Sequence, residues 1–216
     1  KTLRGVGNFY GDIILFKNFT FRSSYGFDVS YDYTKSFTPA FFVSSSQSNA
    51  LNDLNVTTSQ YKSWLWENTL NYDKQFGNHN VNILGGITAE KTVIEFFGTS
   101  IQNLIGEETS LWYIDAGEFQ YLNANNGGEI TTMESFLGRI NYSYKSKYLL
   151  TASVRRDGSS KFGINNKWGT FPSVALGWNV MNENFLATSK LISNLKLRAS
   201  YGIIGNEKIP DSKRGS

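Results

Sequence analysis

Cysteine is absent from these 216 residues, and there is one histidine and three prolines. No cysteine means no disulfide framework and no thiolate metal site. The single His79 sits in a turn between Asn78 and Asn80, without partners for a transition-metal ligand set, so no metal or other cofactor is expected. Charge is sparse: 18% of residues are Asp, Glu, Lys or Arg, against about 25% in soluble domains. The net charge of +3 is spread without a basic run, which excludes a nucleic-acid surface. No run approaches the ~20 apolar residues of a membrane helix. That excludes helical spans only, since a barrel strand is short and alternating, and a mean hydropathy of -0.33 is compatible with it. No G-x-S-x-G, Walker or dinucleotide-binding motif is present, and no catalytic role is expected. Glu107-Glu108 and the Asp115/Glu118 pair are carboxylates of the kind glycosidases use, but in a long polar loop they read as solvated charge. Lys1 opens no signal-peptide pattern, so an export signal is expected outside this segment, and Asp211 to Ser216 reads as a ragged end.

What is present is aromatic. Phe, Trp and Tyr make up 15% of the chain, a composition suited to β-strands, and they recur with period two. From Phe19 to Tyr33 the odd positions read Phe, Phe, Ser, Tyr, Phe, Val, Tyr, Tyr, while the even positions are polar or glycine. Similar alternation appears around Trp64–Asp73, Val81–Glu90, Phe136–Tyr144, Tyr148–Asp157, Val174–Val180 and Leu195–Ile203. A less regular strand runs from Gly7 to Phe16. The pattern predicts about eight strands. Tight turns are expected at Lys17-Asn18, Phe76–His79 and Ser146-Lys147. Long links are expected over Lys35–Ser59, Gly98–Thr131 and Gly158–Thr170. Met181–Ser193 makes a further link, in which Phe185, Leu186, Leu191 and Ile192 could face one side of a short helix.

Alternation does not say which face is wet, and a soluble carbohydrate-binding β-sandwich alternates too. Two features favour a transmembrane antiparallel β-barrel. Several strands reach ten residues or more, enough to cross a bilayer when tilted. Short turns and long links also alternate, as periplasmic turns and extracellular loops do. Tyr61, Tyr72, Tyr144, Tyr148 and Trp178 stand near strand ends, where an interfacial girdle belongs. A small independent barrel of eight strands stays open beside a piece of a larger one.

Three segments carry more than pattern: RRDGSSKFG at 155–163, NNKWGTFPSVALGWNV at 165–180, and LKLRASYGIIGNE at 195–207. With the hairpin FLGRINYSYKSKYLL at 136–150 before them, they resemble the barrel of SusC/RagA-type TonB-dependent transporters. The resemblance is specific over Phe136–Glu207 and looser upstream. Its motif residues are Arg156, Asp157, Gly158, Ser159, Gly163, Trp168, Gly169, Phe171, Pro172, Gly177, Trp178, Tyr201, Gly202, Gly205 and Asn206. They read as structural: Asp157 to Ser160 as a turn closing a strand, Pro172 at a strand start, Gly177 keeping one face small.

The resemblance implies that all 216 residues are part of one barrel domain of about 22 strands, an internal piece without the plug, signal peptide and remaining strands. It implies location in the bacterial outer membrane, in contact with its lipid. It implies import of an oligosaccharide, glycan fragment or peptide, a SusD-like surface lipoprotein as lid, and energy from the TonB complex through a plug. Within that frame the 98–131 stretch, with Trp112, Tyr113, Asp115, Phe119 and Tyr121, is the candidate for contacting substrate or partner. A loop of this length is functional or disordered more often than not, and self-packing is the competing reading. By parity alone, Arg139, Arg155, Lys196 and Arg198 are the candidates for a polar interior path.

Overall fold

A computed structural model describes residues 1–186 and 192–207. It consists of β-strands joined by turns and a few 3-10 turns. The strands are β1 (Thr2–Leu15), β2 (Phe19–Thr38), β3 (Phe41–Ser44), β4 (Gln47–Asn49), β5 (Asp53–Phe76), β6 (His79–Gln102), β7 (Asn123–Tyr144), β8 (Tyr148–Ser159), β9 (Trp168–Asn179) and β10 (Lys196–Gly202). Eight of them form one sheet in the order β1-β2-β5-β6-β7-β8-β9-β10, and β3 and β4 make a separate hairpin. A sandwich needs two sheets face to face, and an independent small barrel needs its first and last strands paired. Among the described residues the sheet has β1 and β10 at its edges, as an open portion of a larger barrel would.

The strands outrun their hydropathy signal. β5 and β6 each span 24 residues and β7 spans 22, against a usual ~5–6. The expected 98–131 link shrinks to 103–122, and the 35–59 link holds the β3–β4 hairpin. Asp157 and Gly158, expected in a turn, remain in the ladder opposite Gly169 and Trp168. Pro172 is not at a strand start but opposite Val154 in the interior of β9. Its carbonyl accepts from the Ile203 amide at 3.0 Å. In an antiparallel ladder the N–H and C=O of one residue point to the same neighbour. The missing N–H therefore faces the place where β10 has just ended, and the β8 ladder loses nothing. A 3-10 turn, Val180–Asn182, ends before the stretch where a short helix is expected, and the described residues after it, to Leu186, form a turn instead. Residues 187–191 and 208–216 lie outside the described residues, and with them Leu191 of the expected short helix and the expected ragged end at Asp211 to Ser216.

The turns have the backbone that tight hairpins need. Lys145 and Ser146 both have positive φ, 51° and 54°, the two-residue turn whose twist matches the strands it joins. Gly77, at φ 58°, does the same between β5 and β6, where a side chain would be strained. Backbone hydrogen bonds tie each turn to the neighbouring turn or strand end: the Asp73 amide to the Asn18 carbonyl at 2.9 Å, Lys145 to Asn78 at 2.7 Å, and Asn179 to Lys147 at 2.7 Å.

The chain divides into two compact units. In the first (Lys1–Gly7, Phe27–Trp64, Thr92–Ile130), a small core of Leu54, Ile101 and Leu104 is packed by Phe37, Val56, Trp112 and Ile114. In the second (Asn8–Gly26, Leu65–Lys91 and the chain from Thr131 on), Val180 is a buried hydrophobic residue among those described. The accessible surface is 15252 Å². A folded monomer of 24.3 kDa would expose about 10,000 Å². The excess goes with large apolar side chains that stand exposed on the strands, among them Leu176, Leu197 and Tyr201.

Candidate functional site

Strand register sorts the second unit into two faces. On one, Tyr148, Leu150, Ala152 and Val154 of β8 stand opposite Trp178, Leu176, Val174 and Pro172 of β9. Leu197, Ala199 and Tyr201 of β10 extend this row, and Tyr142 and Ile140 of β7 extend it the other way. Successive residues of a strand alternate faces, so the opposite face carries the polar side chains, and they are hydrogen-bonded to each other. Ser153 and Ser173 share a bond of 2.7 Å, Thr151 donates to Asn141 at 2.9 Å, and Asn141 to Asn82 at 3.3 Å. Asn82 donates on to Asn71 at 2.8 Å and to Asp73 at 3.1 Å. Arg22 grips Asp12 with two bonds of 2.7 Å. In the first unit Arg4 grips Asp28 likewise, at 3.0 and 2.7 Å.

Arg139, Arg155, Lys196 and Arg198 all stand on this polar face, by their pairing with Ser153, Leu137, Asn179 and Gly177. Arg155 donates to Asp157 at 2.6 Å and to the fully buried Ser135 at 3.1 Å. Near them a cavity of about 140 Å³ is lined by Asp157, Ser159, Phe162, Lys167, Phe171 and Asn206. The motif residues build its surroundings. Phe171 covers Gly169 and Gly205, where any Cβ would overlap its ring. Asn166 closes the loop by donating its amide to the Gly163 carbonyl at 2.9 Å. Arg156, on the apolar face, lies over the Trp168 ring at 5.0 Å, beside Gly158. Gly177 leaves 3.3 Å between an added Cβ and Leu149. Tyr201 and Gly202 pair with Val174 and Ser173.

The candidate loop is packed, and its aromatics divide by role. Trp112 stacks on Phe37 of β2 at 4.9 Å, donates its indole N–H to the Glu107 carbonyl at 3.0 Å, and accepts from Lys35 Nζ on its own carbonyl at 2.6 Å. Lys35 also lies over the Tyr113 ring at 4.3 Å. Asn52 bonds Leu104 through both amide atoms, at 3.3 and 2.6 Å. Asn103 donates to Glu118. Three 3-10 turns, Thr109–Leu111, Ile114–Ala116 and Phe119–Tyr121, give the loop its shape. Trp112 thus serves as an anchor, while Phe119 is 85% exposed and Tyr113, Asp115 and Tyr121 are exposed beside it. Among the described residues no three His, Asp or Glu side chains gather as metal ligands would.

Sequence reasoning did not find two features at the turn end of the second unit. One is a chain of rings on the apolar face. Phe19 meets Tyr72 at 4.7 Å, Phe76 stacks on His79 at 5.4 Å, His79 lies 4.8 Å from Tyr144, and Tyr144 is 6.5 Å from Tyr148. His79 Nδ1 and the Tyr142 hydroxyl are 2.7 Å apart. The other is a clamp on Glu183, which accepts from Lys147 at 2.8 Å, Tyr148 at 2.8 Å and Trp178 at 3.2 Å. The signal for both was aromatic residues at strand ends, which show where a belt lies but not which acid it binds.

Those three donors, Lys147 first, hold the Glu183 carboxyl down at about 2, from an ordinary 4.5. A depressed folded pKa stabilises above the unfolded value and is lost as pH falls through the folded one. The clamp is therefore at full strength above about pH 4.5 and gone below about pH 2. Hydrogen exchange at the Leu186 amide, which donates to the Glu183 carbonyl at 3.0 Å, should accelerate over that window beyond its intrinsic rate. In Glu183→Gln the pH dependence should vanish. Exchange unaffected by pH in the unsubstituted protein would contradict the assignment.

Long antiparallel strands, one apolar face belted by aromatics and one polar hydrogen-bonded face define a segment of a transmembrane β-barrel. Comparison with known proteins narrows this. No family model matches the chain. It is 37% identical over 207 residues to TonB-dependent receptor P39 of Formosa agariphila, covering 94% of this chain and 19% of that protein. It is 35% identical over 204 residues to TonB-dependent receptor P3 of the same organism, covering 94% and 20%. Over 80 residues, 37% of this chain and 8% of the relative, it is 51% identical to TonB-dependent receptor SusC of Bacteroides thetaiotaomicron. Its fold matches the RagAB peptide transporter with a TM-score of 0.83 at 25% identity, over 96% of this chain and 23% of that one. The RagAB peptide importer in its open-open state gives 0.86 at 25% identity, over 97% and 23%. The likeness is to one kind within the class, TonB-dependent receptors of the SusC/RagA type. The chain spans about a fifth of the length of the curated relatives it matches along most of its own.

Proposed function

We propose that this chain is part of the barrel domain of an outer-membrane TonB-dependent importer. It passes an oligosaccharide, glycan fragment or peptide into the periplasm, with a SusD-like surface lipoprotein as lid. The TonB complex drives it through a plug, and no step is enzymatic. The carrying observation is the two-faced sheet. An apolar face of Leu150, Val174, Leu176 and Leu197 suits lipid, and the hydrogen-bonded face of Asn82, Asn141, Arg139 and Arg155 suits a wet interior. The likeness to SusC and to RagAB, named a peptide transporter, supports this reading. The packed loop of 103–122 then lies at the cell surface and presents Phe119, Tyr113 and Tyr121 to a substrate or the lid.

The test is uptake by cells carrying the full-length protein, using a fluorescent peptide pool and a labelled glycan pool. Uptake of one pool should cease when TonB is deleted. Phe119→Ala should lower it about two- to tenfold, the worth of one aromatic contact, with the barrel still resisting denaturation when unboiled. Uptake independent of TonB would overturn the proposal.

A further inference from the structure

At the turn end of the second unit, backbone hydrogen bonds bring three lysines onto one rim. Lys17 stands in the β1–β2 turn beside Asn18, whose carbonyl receives the Asp73 amide at 2.9 Å, so Lys17 adjoins Lys74. Lys145 opens the β7–β8 turn and donates its amide to Asn78, in the β5–β6 turn, at 2.7 Å. All three side chains are exposed. Lys147 is different: it is 18% exposed and spent on Glu183. The ion pairs found among the described residues leave out Lys17, Lys74 and Lys145, and Lys145 lies over the Tyr144 ring at 5.4 Å. The neighbouring carboxylates are engaged, Asp73 by Asn82 at 3.1 Å and Glu183 by Lys147 at 2.8 Å.

Beside this cationic rim lies the chain of rings Phe19, Tyr72, Phe76, His79 and Tyr144. Phe16, 85% exposed, projects from the β1–β2 turn. Aromatics at the level of lipid headgroups with basic side chains just beyond them match, in order, the glycerol region and the phosphate of a phospholipid. We propose that Lys17, Lys74 and Lys145 form a docking site for anionic phospholipid of the periplasmic leaflet, with phosphates on the ammonium groups and acyl chains along the ring belt. This rests on the membrane-barrel reading above.

The experiment uses the full-length receptor, purified in detergent and supplied with phosphatidylglycerol, phosphatidylcholine or inorganic phosphate. Retained lipid is read by native mass spectrometry. The receptor should retain phosphatidylglycerol over phosphatidylcholine, and K17Q/K74Q/K145Q should retain about tenfold less of it or lower still, since each basic residue near an anionic surface counts. K17R/K74R/K145R should keep it. Both variants should still shift in mobility on boiling. Equal retention of the two lipids, or no change in the glutamine variant, would overturn the site. So would displacement of the lipid by millimolar inorganic phosphate, which would mark a free-anion site. A receptor that lacks the boiling shift altogether would fail the barrel reading itself, and the site with it.

Discussion

Arginine in place of Ile140 should destabilise the receptor by about 2–4 kcal/mol, the cost of a cation on the lipid face near the bilayer midplane. Arginine in place of Ala175 should cost under about 1 kcal/mol, since lumen substitutions escape that penalty. Ile140 stands on the apolar face, 45% exposed and opposite Ala152. Ala175 lies two strands away on the polar face, between Thr151 and Ser200. Both sit at a similar distance from the turns, so depth is matched and only the face differs. Urea titration of the whole receptor in lipid vesicles measures the difference. Equal losses for both variants would mean that the faces are not distinguished by solvent, and the barrel reading would lose its basis.

Leu54→Ala is the second large effect. Leu54 is fully buried, and it packs with Ile101 and Leu104 beneath the 103–122 loop. Truncating such a leucine removes about 2–5 kcal/mol, because transfer and cavity terms add. The loss should fall on the loop, whose hold is this core together with the two Asn52 bonds to Leu104 and the Trp112 stack on Phe37. Limited proteolysis of the variant should cut within 103–122 while exchange at the Glu183 clamp stays as in the unsubstituted protein. If the loop resists protease as before, its order does not depend on the Leu54 core.

The part of the fold that meets lipid was legible in the sequence, and the part beyond it was not, for one reason. Where a strand has lipid on one side and water on the other, hydropathy alternates, and β2 from Phe19 is visible residue by residue. Where both sides are wet the hydrogen-bonded ladder continues but the alternation stops. Thr57, Thr58, Ser59 and Gln60 belong to β5 yet are polar in succession, so no period-two signal carries the strand back from Trp64. The same loss of contrast hides the far ends of β6 and the start of β7. In the candidate loop, Trp112 reads as an open platform because its partner Phe37 is on β2, 75 residues earlier, and no local pattern announces a contact of that range. Arg139, Arg155, Lys196 and Arg198 could be put on one face from parity, because the described register of β7 to β10 runs without a bulge. The Glu183 clamp was hidden because capping of Tyr148 and Trp178 by an acid in the next link depends on how that link folds back.

The central claim is the proposal that this chain is part of an outer-membrane barrel, with the hairpin turns reached from the periplasm and Phe119 from the cell surface, and the absence of cysteine from this chain makes it directly testable. Single cysteines at Asn78 and at Phe119, in an otherwise cysteine-free full-length receptor, would be treated with a membrane-impermeant maleimide on intact cells. The account predicts labelling at position 119 from outside, and at position 78 only after the outer membrane is permeabilised. Labelling of both on intact cells, or of position 78 alone, would contradict it.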